Sequence, residues 1–238
     1  PVRLSFLKEV KESKGLALRV VKSPVKDKLE TLYKLLGELK GGSALIFCNY
    51  RETVERVSNY LTEMGVDNEY FHGGMEQPER ERALSHFRNG SATVFISTDL
   101  ASRGLDIPEV KNVIHYHLPV SEEAYVHRNG RTARMNAEET IPEYITREPD
   151  EFFLPEVAKK PVRSEWVTLT INRGKRDKLS KKDVVGFLFQ KGGLEKDDLG
   201  IVEIKESCAF AAVKRTKLSG LLGRIRNEKI KNMKAKFI

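Results

Sequence analysis

The sequence predicts an α/β chain: a mostly parallel sheet covered by helices on both faces, followed by a small α+β module. Three observations carry this. Short apolar runs alternate with amphipathic stretches through the first 150 residues, the order expected of βαβ units. A stretch holding Pro149, Pro155 and Pro161 then interrupts the alternation. After it, residues 164–238 read β-α-β-β-α-β, the split βαβ pattern. The expected division is therefore 1–150, a linker at 151–163, and 164–238.

In order, Leu16–Val21 reads as a strand. Val25–Lys40 places Leu29, Leu32, Leu35, Leu36 and Leu39 at helical spacing and stops at Gly41-Gly42. Ala44–Cys48 is apolar throughout, as in a strand buried on both faces. A helix is expected from Glu52 to Met64, closed by Gly65. Strand Asn68–Phe71 and helix Gln77–Arg88 follow, then strands at Ala92–Ser97 and Asn112–Tyr116. Ser121 can cap the next helix, with Glu122 and Glu123 suited to its positive end. Ile141–Thr146 is the last strand of this part. In the second module, Trp166–Ile171, Gly200–Ile204, Ala209–Val213 and Ala235–Ile238 read as strands. Ser180–Gln190 and Leu218–Arg226 read as helices.

Composition bounds the function. Of the 238 residues, 39% are hydrophobic and 32% charged, a globular balance. No apolar run approaches the ~20 residues of a membrane span. Cys48 and Cys208 both lie in apolar runs, which favours reduced thiols and a cytoplasmic setting over a disulfide. No Cys/His spacing suggests zinc. The chain opens on Pro1, as a piece of a longer protein would. The net charge of +8 is uneven. Residues 164–238 hold 18 Lys and Arg against 9 Asp and Glu, which leaves −1 for the remainder. Such asymmetry points to a polyanionic partner, nucleic acid first.

Four polar clusters follow predicted strands, and in a parallel sheet ligands bind at those strand ends. They are Asn49-Tyr50-Arg51, His72-Gly73-Gly74, Thr98 through Asp106, and His127 through Arg134. Arg128, Arg131 and Arg134 are three residues apart, so on a helix they share one face. Three guanidinium groups there call for an anion, and their forked donors match phosphate. A solvated basic face, or pairing with Glu138 and Glu139, is the alternative.

The spacing His-Arg-x-Gly-Arg-x-x-Arg at 127–134 resembles motif VI of the DEAD-box RNA helicases. Thr98-Asp99 through Arg103-Gly104-Leu105-Asp106 is similar to their motif V, Ala44–Asn49 to motif IV, and Gln77 with Arg80 to motif IVa. The resemblance covers residues 15–150 and implies the second RecA-like lobe. It implies that Arg131 and Arg134 are arginine fingers on the ATP γ-phosphate. Asp106 would hold the ribose, with the Gly104 backbone close to the nucleotide. His127 and Arg128 would couple the nucleotide site to the other lobe. Asn49, Gly73, Gly74, Gln77, Arg80 and Thr98 would grip RNA through its sugar-phosphate chain, which carries no sequence information. Asp99 could equally anchor the motif V loop. Ala133, Asn129 and Ser102 depart from the commoner family residues.

No Gly-x-x-x-x-Gly-Lys-Ser/Thr loop and no Asp-Glu-Ala-Asp sequence is present. In the family these belong to the first lobe and supply the phosphate cradle and the Mg2+ ligands. The chain alone is therefore expected to bind ATP poorly and hydrolyse none. Residues 164–238 are similar to the RRM-like RNA-binding domain of DbpA-type helicases, through Ile171-Asn172-Arg173-Gly174 and Asp197-Asp198-Leu199-Gly200. Arg173, Lys175, Arg176, Lys178 and Lys181, with Lys229 and Lys231 near the terminus, are the candidate RNA contacts. Phe210 is the sole aromatic of its strand, which argues against ordinary base stacking. The resemblance implies a structured ribosomal RNA hairpin as target. A non-catalytic RNA-binding adaptor, or the lobe of a related DNA helicase, are the alternatives.

Overall fold

The computed structural model describes residues 19–39, 42–99, 107–131, 141–146 and 159–238. They pack as two compact units, one drawn from 1–76 and 93–162, the other from 77–92 and 163–238.

The first unit is built on a six-stranded parallel sheet. Its strands are β1 (Arg19–Lys22), β2 (Ala44–Cys48), β3 (Asn68–Phe71), β4 (Val94–Thr98), β5 (Asn112–His115) and β6 (Ile141–Thr146), in the order β1-β6-β5-β2-β4-β3. All five residues of β2 are buried, as expected of a central strand covered on both faces. Helix α1 (Leu29–Glu38) buries Leu32, Leu35 and Leu36 against Val54, Val57 and Leu61 of helix α2 (Arg51–Glu63) and the sheet. α1 begins at Leu29, the first of the spaced leucines, four residues after the expected start at Val25. Ser23 Oγ donates to the Val25 carbonyl at 2.8 Å, and Asp27 Oδ1 accepts from the Leu29 amide at 3.3 Å. These local bonds hold 23–28 in a turn in place of a first helical turn. Gly65, at φ 76°, lets the chain reverse after α2.

The second unit holds the antiparallel sheet β7 (Trp166–Ile171), β9 (Ala209–Lys214), β8 (Leu199–Ile204), in that order. Leu169, Ile171, Ala211 and Val213 face a core shared with helices α5 (Lys181–Gln190) and α6 (Leu218–Ile225). Ser180 and Asp183 cap α5 reciprocally: the Asp183 amide donates to Ser180 Oγ and the Ser180 amide to Asp183 Oδ2. Helix α3 (Gln77–Arg88) groups with this unit. Its Ser85 Oγ donates to Glu203 Oε2 at 2.9 Å, and Asn89 Nδ2 to Thr168 Oγ1 at 2.8 Å.

The C-terminus differs from expectation. A hairpin of β10 (Lys229–Ile230) and β11 (Met233–Lys234) precedes it, turning at Lys231 and Asn232, both with positive φ. The expected strand Ala235–Ile238 reduces to a bridge between Phe237 and Ile171. The reason is local: Asn172 Oδ1 accepts the Lys236 amide at 2.6 Å, so a side chain takes the place of a ladder bond.

Candidate nucleotide and nucleic-acid site

In a parallel sheet the carboxyl ends of all strands lie on one rim. Asn49 leaves β2, His72-Gly73-Gly74 leaves β3, Thr98 and Asp99 end β4, and His117 follows β5. The strand order β5-β2-β4-β3 makes these four ends neighbours. The described parts of the first three expected clusters thus lie on neighbouring strand ends; 100–106 and 132–134 lie outside the described residues.

Arg128 ties the rim together. It sits in helix α4 (Glu122–Asn129), which Ser121 caps by accepting the Ala124 amide. Its side chain turns inward and is 1% exposed. Nε and Nη2 donate to the two Asp99 carboxylate oxygens at 2.5 and 2.6 Å. Nη2 also donates to Asn49 Oδ1 at 2.9 Å, and Nη1 to the His117 carbonyl at 2.7 Å and His115 Nδ1 at 3.3 Å. All five guanidinium protons are thereby used within the lobe. The Phe47 ring lies 5.1 Å from the guanidinium carbon, within cation–π range.

This corrects the expectation of a shared helical face for Arg128 and Arg131; Arg134 lies outside the described residues. The helix stops at Asn129, so Arg131 lies beyond it, and the charge that neutralises Arg128 is Asp99 rather than a bound anion. Asp99 does anchor its loop.

Two histidines complete the network. His115 is fully buried in β5. Because its Nδ1 accepts from Arg128, its Nε2 carries the proton donated to Asn129 Oδ1 at 3.1 Å. Burial, then the Arg128 charge, push its pKa down to about 3. His117 Nδ1 accepts the Asn49 amide at 3.1 Å. Burial and the charges of Lys28 and Arg128 bring its pKa down to about 4. Sequence reading missed both, although a histidine inside an apolar strand was the available signal.

Arg131 is half-buried, its amide on the Arg128 carbonyl and its own carbonyl accepting from Val110. His127 is exposed, 3.5 Å from Glu123. Thr98 is half-buried at the end of β4. Gly73 and Gly74 form an exposed turn over the buried His72, whose Nδ1 accepts the Gly74 amide and whose Nε2 meets Glu55 at 2.9 Å. Gln77 is exposed and donates to Glu81 within α3, while Arg80 is half-buried. Gly104, Asp106 and Arg134 lie outside the described residues.

In the second unit, Arg173, Lys175, Arg176 and Lys178 stand on one loop, between β7 and α5. Gly174 is buried, and a Cβ there would stand 2.4 Å from the Lys205 carbonyl oxygen and 2.6 Å from the Cys208 amide nitrogen. That approach fixes the path of the loop bearing Arg173, Lys175, Arg176 and Lys178. The amides of Lys175 and Arg176 then bond the carbonyls of Lys205 and Glu206. Lys231 Nζ donates to the Lys178 carbonyl at 2.7 Å and to Asp183 at 3.2 Å, which brings the C-terminal hairpin to the loop. Lys175, Arg176, Lys178, Lys181, Lys229 and Lys231 are all exposed. Phe210 is 3% exposed, with the His86 ring edge-on at 5.8 Å, so it offers no stacking face. Cys208, expected inside a strand, lies just before β9 and is half-buried.

The first unit has the parallel-sheet architecture of a RecA-like lobe, its polar rim pinned at the strand ends, and the second is a small basic RRM-like unit. Comparison with known proteins agrees. Residues 27–136 match the helicase conserved C-terminal domain and residues 168–237 the DbpA RNA binding domain. The chain is similar to the ATP-dependent RNA helicase DbpA of Bacillus subtilis, 29% identical over 96% of this chain and 56% of that protein. It is likewise similar to DbpA of Escherichia coli, 31% identical over 80% of this chain and 45% of that one. Among solved structures, S. cerevisiae Dbp5 bound to RNA and ADP BeF3 aligns with a TM-score of 0.51 at 28% identity, covering 57% of this chain and 36% of that one. The chain belongs to the DEAD-box ATP-dependent RNA helicase family, and spans about half the length of the curated relatives it matches.

Proposed function

We propose that this chain is the half of an ATP-dependent RNA helicase that completes the nucleotide site and grips RNA, coupling ATP hydrolysis to RNA remodelling. The observation that carries the reading is the Arg128 network. It clamps the ends of β2, β4 and β5 to α4 and so fixes the backbone from which Arg131 emerges. Arg131 and Arg134 would meet the ATP γ-phosphate, with Gly104 and Asp106 against the nucleoside. Arg128 itself has no proton left to offer, so coupling by Arg128 and His127 to the other lobe acts through Asp99 and Asn49. Asn49, Gly73, Gly74 and Thr98, and separately Gln77 and Arg80, would hold the RNA backbone. ATP use is supported by the relatives' ATP dependence. Mg2+ would be held with the phosphates by the first lobe; among the described residues no group of three or more His, Cys, Asp or Glu could bind a metal. Completion of a split site only when lobes close ties hydrolysis to RNA capture.

In the same proposal the chain divides at 1–150, 151–163 and 164–238 and works in the cytoplasm. The basic edge from Arg173 to Lys178, with Lys181, Lys229 and Lys231, would take a structured RNA, by analogy with the DbpA proteins a ribosomal RNA hairpin.

The test has two arms. In the full-length protein, Arg131→Ala is expected to lower RNA-stimulated ATP hydrolysis by about 10³-fold or more, the scale of an arginine finger; unchanged turnover would overturn the motor reading. Hairpins of ribosomal RNA should bind this chain more tightly than the same sequences as DNA, because only RNA offers 2′-hydroxyls. Equal binding would leave a general polyanion site.

A further inference from the structure

A groove on the outer side of the first unit carries chemistry that neither ATP nor RNA would use. It lies between the start of α1 and the length of α2, as two adjoining hollows of about 520 and 450 Å³ that share Leu29 and Tyr60. Its floor is apolar, from Leu29, Tyr33 and Tyr60. Val25 and Met64 stand at its lip, 56% and 42% exposed. Their exposed side chains extend the apolar floor outward.

The rim is acidic. Asp27, Glu30, Glu52, Glu55 and Glu63 line the two hollows against only Lys34 and Arg56. Both bases are already engaged: Arg56 with Asp27 at 2.5 Å and Lys34 with Glu30 at 2.8 Å. Glu52 and Glu63 remain exposed, without an ion pair among the described residues. The field is felt on the floor, where burial and then the charges of Glu30 and Asp27 raise the pKa of Tyr60. This local excess of negative charge sits on a chain whose net charge is +8. A phosphate backbone would be repelled here, so the groove is not an extension of the RNA surface.

We propose that this groove is a docking site for a basic protein segment, one that seats one or two large apolar side chains between α1 and α2 while flanking lysines or arginines meet the acidic rim. Complementary charge would steer such a segment to the groove, and the apolar floor would hold it. The inference uses none of the residues assigned to ATP or RNA and stands independently of their roles.

The test uses this chain and three fluorescein-labelled synthetic 15-residue peptides. One has Lys and Arg flanking two Leu and a Trp; one has the same cations with Ser at the apolar positions; one has Glu at the cationic positions. Anisotropy is expected to show saturable binding of the first. Binding should weaken at least fivefold for each of the other two. The variant Glu52→Lys with Glu63→Lys, both exposed, should weaken the first peptide about tenfold, and Met64→Ser severalfold. Three results would overturn the proposal. One is no binding by 1 mM on the order of the weakest specific contacts. Another is equal binding of the apolar and Ser peptides, which is charge attraction alone. The third is self-association of the chain in sedimentation that Glu52→Lys with Glu63→Lys abolishes, which would make the occupant a second copy.

Discussion

The Asp99 carboxylate meets the Arg128 guanidinium side-on, through paired bonds of 2.5 and 2.6 Å, with the arginine almost wholly enclosed. A buried ion pair is poor evidence of net stability, but breaking one is costly because the survivor is stranded. Asp99→Asn is expected to lower unfolding stability by about 2–4 kcal/mol, the lower part of the range reflecting the partial exposure of Asp99. Arg128→Lys should cost a similar amount, since an ammonium cannot span Asp99, Asn49 and the His117 carbonyl together. Urea denaturation checks both; a loss under ~0.5 kcal/mol would mean the network is incidental.

His115 gives the lobe a pH signature. Its folded pKa of about 3 lies below the ordinary 6.5, so the folded state refuses a proton that the unfolded chain accepts. The stabilisation is full above the ordinary value and is lost as pH falls from about 6.5 towards 3, at about 1.4 kcal/mol for each pKa unit traversed. His117 acts in the same direction. The urea midpoint should drop between pH 7.5 and 4.5, and drop less in His115→Gln. Parallel curves for the two proteins would remove His115 as the cause.

At the basic edge, Lys178→Ala and Arg176→Ala should each weaken binding to an RNA hairpin and reduce the slope of log affinity against log salt by up to about one. Lys231→Met should weaken it through position, because the hairpin then loses its bonds to the Lys178 carbonyl and Asp183. A salt slope unchanged in all three variants would place the RNA elsewhere.

Gly174→Ala adds one methyl where three backbone polar atoms stand within 2.6 Å. Strain of that kind is expected to cost about 2 kcal/mol or more and to weaken hairpin binding without removing any charge. A variant that melts like the wild type would mean the loop yields freely.

Most of the sheet was legible because period and punctuation agreed. β2, β3, β7, α3 and β6 begin and end where apolar runs, Gly and Asn place them. The start of α1 was not, because Ser23 and Asp27 spend their side chains on local backbone bonds that leucine spacing does not report. The final strand failed for the same reason at Asn172. At the site, sequence found the arginines and the rim but misjudged their direction. Spacing by three implies a shared face only while the helix lasts, and α4 ends one residue after Arg128. His115 was passed over because a buried imidazole is recognised by its partners, and Arg128 and Asn129 become its partners only in three dimensions.

The cradle around Gly174 has a consequence for how this module can diversify. The path of the cationic loop is set by a carbon that is missing, together with main-chain bonds to 205 and 206. None of these depends on which side chains stand at 173, 175, 176 and 178. Positions 173, 175 and 176 can therefore be rewritten like letters on a fixed frame, while 178, at φ 57°, is held to residues that accept a left-handed backbone, and a chain of this design could change the RNA it prefers while its scaffold stays the same.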